Sequence, residues 1–527
     1  MARSTRWAVI GAGIIGAAAA REILNRDDAA EVTLFEKEDS PAAHQTGHNS
    51  GVVHAGLYYE PGSLKATLCR RGVSLLTAFA REHDVAVDEC GKVVVATDDV
   101  EVDRLHAIHD RAKANGVPDI TLLDADGLAA VEPNAQGLAA LHSPHTAIID
   151  YPGLTDALVA DFRARGGRVR FSTEVKNIDR RGGPTGADTA IVRTPVDSQE
   201  FDHVIVCAGL QSDRLAARSG ESRTPTVVPF FGQYFILDAE YNDTVNGLIY
   251  PVPDPKYPFL GVHVTRRIDG GLMIGPNAFL SFSREGYKGL GLNIPDSLAV
   301  AVDPGFWRFA AGNLPTAARE LPGVLSIERF VAEAARYVPS LDGAKGHRAT
   351  RGIRAQAMER DGSLVDDFVI DRAEAAMFLR NVTANDRNGG FTGCDVDPRT
   401  QPLDVGEVLD VGTVVEARPQ AAGDDAHGGA QPRDVEVIGE PGMGQTDSLG
   451  HEIRIDDDQT ADQNADDKAR IEGSDADEQG EHGRKVVVED DLRQALFDRP
   501  IPQSVDRDQP ADHDRDRDQT DRDQPQR

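Results

Sequence analysis

The chain has 527 residues, 40% of them hydrophobic, and a formal net charge of −31, long enough for a two-domain protein with sizeable cores. Of that charge, −21 falls after residue 383 and only −10 on the first 383 residues, so the globular part is mildly acidic, without a basic stripe to follow a phosphate backbone; nucleic acid is not an expected partner. Four cysteines without CxxC spacing argue against a disulfide framework and a zinc site, so no metal is expected and a reducing compartment is the simpler reading. No apolar run approaches membrane-spanning length, which points to a cytoplasmic protein with at most peripheral contact at the inner face of a membrane.

In chain order, the pattern predicts a strand at Trp7–Ile10, a Gly-rich turn, an Ala-rich helix to about Leu24 and a strand at Val32–Phe35, a βαβ beginning. A polar Gly/His/Asn segment (45–56) follows, then a helix from about Ser63 to His83, a strand at Lys92–Thr97 and a helix near Val102–Ala114. The helix Leu154–Arg165 leads into a strand at Arg168–Ser172, and the strand His203–Val206 runs into Cys207-Ala208-Gly209, where the dinucleotide fold resumes. Between 222 and 345 the texture changes to strands rich in Phe, Tyr and Val, with a helix near Pro304–Ala311; Gly352–Met358 and Phe368–Ile370 then read as strands returning to the first domain. From about residue 384 the composition shifts to Asp, Gln, Arg and Gly, too polar to offset ordering entropy, with one helix-like stretch at Val486–Phe497.

Gly11, Gly13 and Gly16 form GxGxxG between the first strand and helix, and Glu36 lies 20 residues beyond Gly16 at the end of the second strand. The first glycine makes the tight turn, the second admits a pyrophosphate to the backbone, the third lets helix and strand pack, and the acid accepts hydrogen bonds from a ribose. This spacing fits FAD and NAD alike. The loop after it, which opens TGHNSG and is too polar for a core, suits the face of a flavin.

Three segments, TGHNSGVVHAGLYYEPGSLKATLCRRG (46–72), YPVPDPKYPFLGVHVTRRIDGGLMIGPNAFLSFSREGY (250–287) and RGIRAQAMERDGSLVDDFVI (351–370), strongly resemble the L-2-hydroxyglutarate oxidase/dehydrogenase family of the D-amino-acid-oxidase-like flavoproteins. The resemblance covers about residues 5–382. It implies an α/β (α+β overall) fold: a Rossmann-like FAD-binding domain (1–90, 150–220 and 345–383) and a mainly antiparallel substrate domain (91–149 and 221–344), to which composition adds a largely disordered acidic tail (384–527). It implies bound FAD, with Gly11, Gly13, Gly16 and Glu36 at the adenosine and pyrophosphate end, Asn49, Ser50 and Gly51 beside the flavin, and Val175, Ala208 and Gly209 as further contacts. The activity implied is oxidation of a 2-hydroxy acid, L-2-hydroxyglutarate first, with oxygen or a quinone as electron acceptor. Other readings are a related flavoprotein acting on glycerol 3-phosphate or an amino acid, and a non-catalytic flavin-binding protein.

Taking hydride from the carbon that bears a hydroxyl requires a base for the hydroxyl proton, and histidine suits it. His54 and His48 are the first candidates because their loop passes the ring; His263, in the strand Gly261–Thr265, is the third. A structural, hydrogen-bonded role is the alternative for each. A dicarboxylate calls for cationic clamps, for which Arg351 and Arg354 are the obvious pair; in an extended strand their offset of three points them to opposite faces, so one of the two reaches the substrate. Tyr58, Tyr59 and Lys65 are supplementary candidates. After Thr383 the sequence leaves the family pattern, which calls for a turn and a small-residue helix. A frame slip near Thr383 is one explanation, since codons for Asn385 through Asp395 shifted forward by one nucleotide can be read as such a helix, and a natural divergent tail is the alternative.

Overall fold

The computed structural model describes residues 3–380, apart from 183–188, 255–260, 277–278, 288–290, 321–325, 350 and 374–375. The tail after residue 383, with the expected helix at Val486–Phe497 and the departure from the family pattern, lies outside the described residues.

The opening unit is strand β1 (Arg6–Ile10), helix α1 (Ile14–Arg26) and strand β2 (Glu31–Phe35). Its apolar runs are buried on both faces, as a central parallel sheet requires. Trp7 and Val9 face α1 and the helix Tyr151–Ala164, while Ala8 and Ile10 face a three-stranded meander and the helix Ser212–Arg218. The sheet runs Val369–Arg372, Met377–Arg380, His203–Val206, β1, β2, Arg168–Arg170. All neighbours are parallel except the first pair, so the strands' C-terminal ends, where ligands bind such sheets, collect at one edge.

A second, eight-stranded sheet draws on two stretches of chain: Lys92–Ala96, Thr121–Asp124 and Ala139–Ser143 join Phe235–Leu237, Leu248–Pro251, His263–Arg266, Leu272–Gly275 and Gly346–Arg348. Alternation again divides its faces. Val93 and Val95 pack toward the helix Ile327–Ala334, and Val94 and Ala96 toward the helix Asp99–Ala114.

Two strands differ from expectation. Gly352–Met358 forms as a strand, yet it pairs residue for residue with Thr226–Gly232 in a separate three-stranded sheet instead of entering the first sheet. Its partner lies more than a hundred residues away, and the local pattern does not encode that pairing. Met377–Arg380, which the pattern does not mark, is a strand beside His203–Val206. Arg380 is buried there because it donates to the carbonyls of Ser222 and Thr224 and pairs with Asp371.

One buried ion pair ties the two halves of this scaffold together. Arg284 donates to both carboxylate oxygens of Asp213 and to the carbonyls of Leu210 and Val227, and Asp213 accepts from the Val227 amide. Both side chains are closed to solvent, so the Arg284 charge depends on Asp213, which Arg223 also approaches at 3.7 Å. Replacing Asp213 with Asn strands the guanidinium. The variant is expected to lose about 3–5 kcal/mol of unfolding free energy, the usual cost of breaking a buried pair from one side, measured by chemical denaturation; a loss below about 1 kcal/mol would contradict this role for the pair.

Candidate active site

At the C-terminal edge of the first sheet, three backbone segments approach more closely than side chains allow. A Cβ on Gly16 would stand 1.8 Å from the Gly11 carbonyl oxygen, and one on Gly11, at φ +104°, 2.4 Å from that of Cys207. Gly13 differs: it caps α1, and its Cβ would meet nothing nearer than the Thr46 hydroxyl at 3.3 Å. The glycines therefore divide into two that let the chain fold this way and one that leaves room in front of the helix N-terminus, whose dipole favours an anion.

A cavity of about 420 Å³ opens over this edge, lined by Gly11, Gly13, Gly16, Glu36, Val175, Ala208 and Gly209 among others. Glu36 is buried and accepts from the backbone N–H groups of Ala12 (2.7 Å) and Glu38 (3.0 Å). A carboxylate has about four acceptor positions, so two remain for ribose hydroxyls. An elongated dinucleotide fits these features: a helix N-terminus without acidic residues, a glycine-lined approach and a terminal carboxylate. At the rim, Glu38, His44 and Glu285 bring ligand-type atoms within 4.8 Å, but Lys37 pairs with both carboxylates, so the cluster already has a cation between its acids.

A second, smaller cavity meets the first at Gln45, which lines both. The Gln45 side-chain oxygen accepts from the Ala355 amide. Ala355 faces the larger cavity, and its neighbours Ile353 and Arg354 face the smaller one. The loop 46–56 forms the other wall. Asn49 shapes it, donating to the carbonyls of Gln45 and Thr46 and accepting from the Gly51 amide, while the carbonyl of Gly51, at φ +77°, accepts from the Ile149 amide. His48, Asn49, Ser50, His54, His263 and Arg354 all line this smaller cavity; Gly51 lies in the wall's backbone.

The polar groups here are arranged with defined roles. His263 donates from Nδ1 to the Gly261 carbonyl at 3.3 Å, leaving Nε2 as the acceptor. Burial, then the Lys92 ammonium, push His263 down to about 3, with Arg354 adding to the effect and the Gly261 hydrogen bond opposing it. Burial, then Lys92 and His263, hold His54 well below the ordinary histidine range. Both imidazoles are therefore neutral near pH 7 and able to accept a proton. His48 is committed elsewhere: Nδ1 donates to the His44 carbonyl at 2.9 Å and the ring stacks on Tyr287 at 4.0 Å. Arg354 hydrogen-bonds the Tyr234 hydroxyl, which also bonds Ser50; burial raises that phenol despite these contacts. Among the described residues, no carboxylate lines this cavity.

Four of the candidates named from the sequence lie outside it. The Arg351 guanidinium sits 5.0 Å over the Phe231 ring. Tyr58 packs under the Lys92 ammonium, Tyr59 packs with Ala66 and Cys69, and buried Lys65 places its ammonium 5.6 Å over Phe368. The sequence pattern does not single out Gln45, Lys92, Tyr234 or Tyr250. Of these, Lys92 carries a signal, a lone charge opening the run KVVVA.

Residues 6–391 match the family model described as FAD dependent oxidoreductase. The chain is 42% identical over 364 residues to a protein of Caenorhabditis elegans named L-2-hydroxyglutarate dehydrogenase, mitochondrial, an alignment covering 69% of this chain and 84% of that one. It is 39% identical over 364 residues to L-2-hydroxyglutarate dehydrogenase of Escherichia coli, covering 69% and 85%. In fold it is similar to L-alpha-glycerophosphate oxidase from Mycoplasma pneumoniae with FAD bound, with a TM-score of 0.56 at 20% identity over 78% of this chain and 93% of that one.

The different surroundings of the glycines make a test. Gly13→Ala is expected to fold with a melting temperature near that of the parent but to purify with much less dinucleotide, because its methyl enters the approach to the helix N-terminus. Gly16→Ala is expected to fail in folding itself. Equal dinucleotide content in Gly13→Ala and the parent, read from the visible spectrum, would contradict this placement.

Proposed function

The chain belongs to the FAD-dependent oxidoreductase family, and on that premise we propose that it oxidises L-2-hydroxyglutarate to 2-oxoglutarate. The observation that carries the reading is the smaller cavity: two neutral imidazoles and an Arg354–Tyr234 pair converge in a space that, among the described residues, has no carboxylate and joins the dinucleotide cavity at Gln45. The names of the relatives from Caenorhabditis elegans and Escherichia coli support the choice of substrate. We assign residues 1–90, 150–220 and 345–383 to the FAD-binding domain and residues 91–149 and 221–344 to the substrate domain, with the smaller cavity drawing its walls from both: the loop 46–56 and the strand Gly352–Met358 from the first, Tyr234, Tyr250 and His263 from the second.

Bound FAD supplies the acceptor for the hydride that leaves the substrate carbon. Gly11, Gly13, Gly16 and Glu36 would hold its adenosine and pyrophosphate end, with Val175, Ala208 and Gly209 as further contacts, and Asn49, Ser50 and Gly51 would lie beside its ring. Arg354, backed by Tyr234, takes one substrate carboxylate in a planar two-point contact. With the carboxylate held, the hydroxyl faces the imidazoles. Its O–H bond breaks toward whichever of His54 and His263 accepts the proton, a transfer worth about 10²–10⁴ in rate. Val52, Ile353 and Tyr250 wall the cavity with apolar surface that keeps water from the reacting carbon. Oxygen or a membrane quinone takes the electrons onward, the latter through peripheral contact with the inner face of the membrane. Among the described residues no helix is long and apolar enough to cross a membrane.

Two measurements test this reading. Under anaerobic conditions L-2-hydroxyglutarate is expected to bleach the visible flavin band and the D enantiomer to leave it. Bleaching by glycerol 3-phosphate or an amino acid instead would move the protein to another substrate, and no bleaching by any of them would make it a flavin-binding protein without this activity. Arg354→Lys is expected to lower kcat/KM about tenfold to a hundredfold, the loss of a charged two-point contact worth about 1.5–3 kcal/mol. Arg351→Lys is expected to stay within about twofold of the parent, as a side chain outside the cavity should; the reverse ranking would reassign the clamp.

A further inference from the structure

Lys92 opens a strand of valines, and its parity with Val94 and Ala96 turns its side chain into the face packed on the helix Asp99–Ala114. It is 2% exposed. Its ammonium stands 3.9 Å from the centroid of the Tyr250 ring and 4.6 Å from that of Tyr58. The parallel register, Leu248 on Lys92 and Tyr250 on Val94, makes Lys92 and Tyr250 diagonal neighbours on one face. Tyr250 in turn lies flat on His263, with centroids 4.0 Å apart and planes 13° apart, and edge-on to His54 at 6.3 Å and 79°. A buried cation, an aromatic ring and both imidazoles of the smaller cavity are thus contiguous. Burying an ammonium is costly before compensation, and the two ring faces offset part of that cost. If packing were the only requirement, a methionine would fill this place without that cost.

We propose that Lys92 is a positioning residue for the oxidation, its ammonium anchoring the Tyr250–His263 stack and setting the field in which the proton-accepting imidazole works. This role rests on the hydroxy-acid reading of the cavity. The titratable and charged groups facing the imidazole pair are Lys92, Tyr250, Arg354, Tyr234 and His48, with Cys69 donating to the His54 carbonyl. Burial is the largest influence on both histidines and the Lys92 ammonium the second. A neighbouring cation raises the cost of charging an imidazole, so the base stays neutral to lower pH. The same field draws an anionic substrate inward and favours the negative charge that grows on its oxygen as the proton leaves.

Removing the ammonium raises the imidazole pKa, leaves more of the base protonated at a given acid pH, and moves the acid limb of the kcat/KM profile to higher pH. In Lys92→Met holoenzyme, with flavin content and thermal unfolding as controls, that limb is expected to rise by on the order of one pH unit. In Lys92→Arg it is expected to keep its parental position. Nitrogen-15 spectra of histidine-labelled holoenzyme provide a readout that needs no substrate: the titrations of His54 and His263, assigned with His54→Gln and His263→Gln, are expected to rise with the limb in Lys92→Met. A Lys92→Met enzyme with both titrations unmoved and the loss confined to KM would overturn the proposal. If Lys92→Met does not fold, the parent decides: His54 and His263 titrating near the ordinary value of about 6.5 overturn the proposal, and both staying neutral well below it, with Lys92→Arg unchanged, support it. Failure of L-2-hydroxyglutarate to reduce the parent enzyme would sink the substrate reading, and the histidine titrations would still decide the role of Lys92.

Discussion

The larger cavity depends on the absence of side chains at Gly11 and Gly16. With no Cβ at either position, α1 settles onto the Gly11 carbonyl while Gly11 passes under the Cys207 carbonyl. The helix N-terminus, the end of β2 with Glu36, and Ala208-Gly209 after the strand His203–Val206 consequently share one edge. Any methyl there would push apart elements whose convergence makes the cavity. The cost of that substitution would be steric and local, independent of the charge that the helix dipole and Glu36 present to a ligand.

From this edge the structure reaches the second cavity through Gln45 and the strand Gly352–Met358. Residues of that strand serve different spaces, Ala355 one and Ile353 and Arg354 the other. The electrostatics change between them. The dinucleotide end uses backbone N–H groups and a carboxylate, whereas the second cavity holds a guanidinium, phenols and neutral imidazoles with a buried ammonium behind them. That combination accepts an anion and a proton together, which oxidation of a hydroxy acid requires. A cationic substrate would find no counter-charge among the described lining residues.

Much of the dinucleotide end is legible in the amino-acid sequence. Gly11, Gly13, Gly16 and Glu36 stand out because a turn, a close approach and a ribose contact each demand a residue type at a fixed spacing. Arg351 and Arg354 do part, one lying over Phe231 and the other in the cavity, with Arg351 just ahead of the strand Gly352–Met358. What the sequence hides, it hides for physical reasons. Gln45 sits in a loop without periodicity, so nothing local marks it as the wall between two cavities. Lys92 reads as the polar edge of a strand until the packing of Tyr58 and Tyr250 around it is known. The partner of Gly352–Met358 is set by long-range pairing with Thr226–Gly232. Arg380 looks like the charged end of an element, although carbonyls of Ser222 and Thr224 make its burial tolerable.

Substrate is proposed to lie in the smaller cavity, clamped at Arg354 with its reacting carbon between the imidazoles and the flavin. A crystal structure of the FAD-loaded chain with 2-oxoglutarate tests that placement most directly. The expected result is a carboxylate within hydrogen-bond distance of the Arg354 guanidinium and the Tyr234 hydroxyl, with the keto oxygen facing His54 and His263. A ligand seated at Arg351 or Lys65, or one whose keto oxygen points away from both histidines, would contradict it.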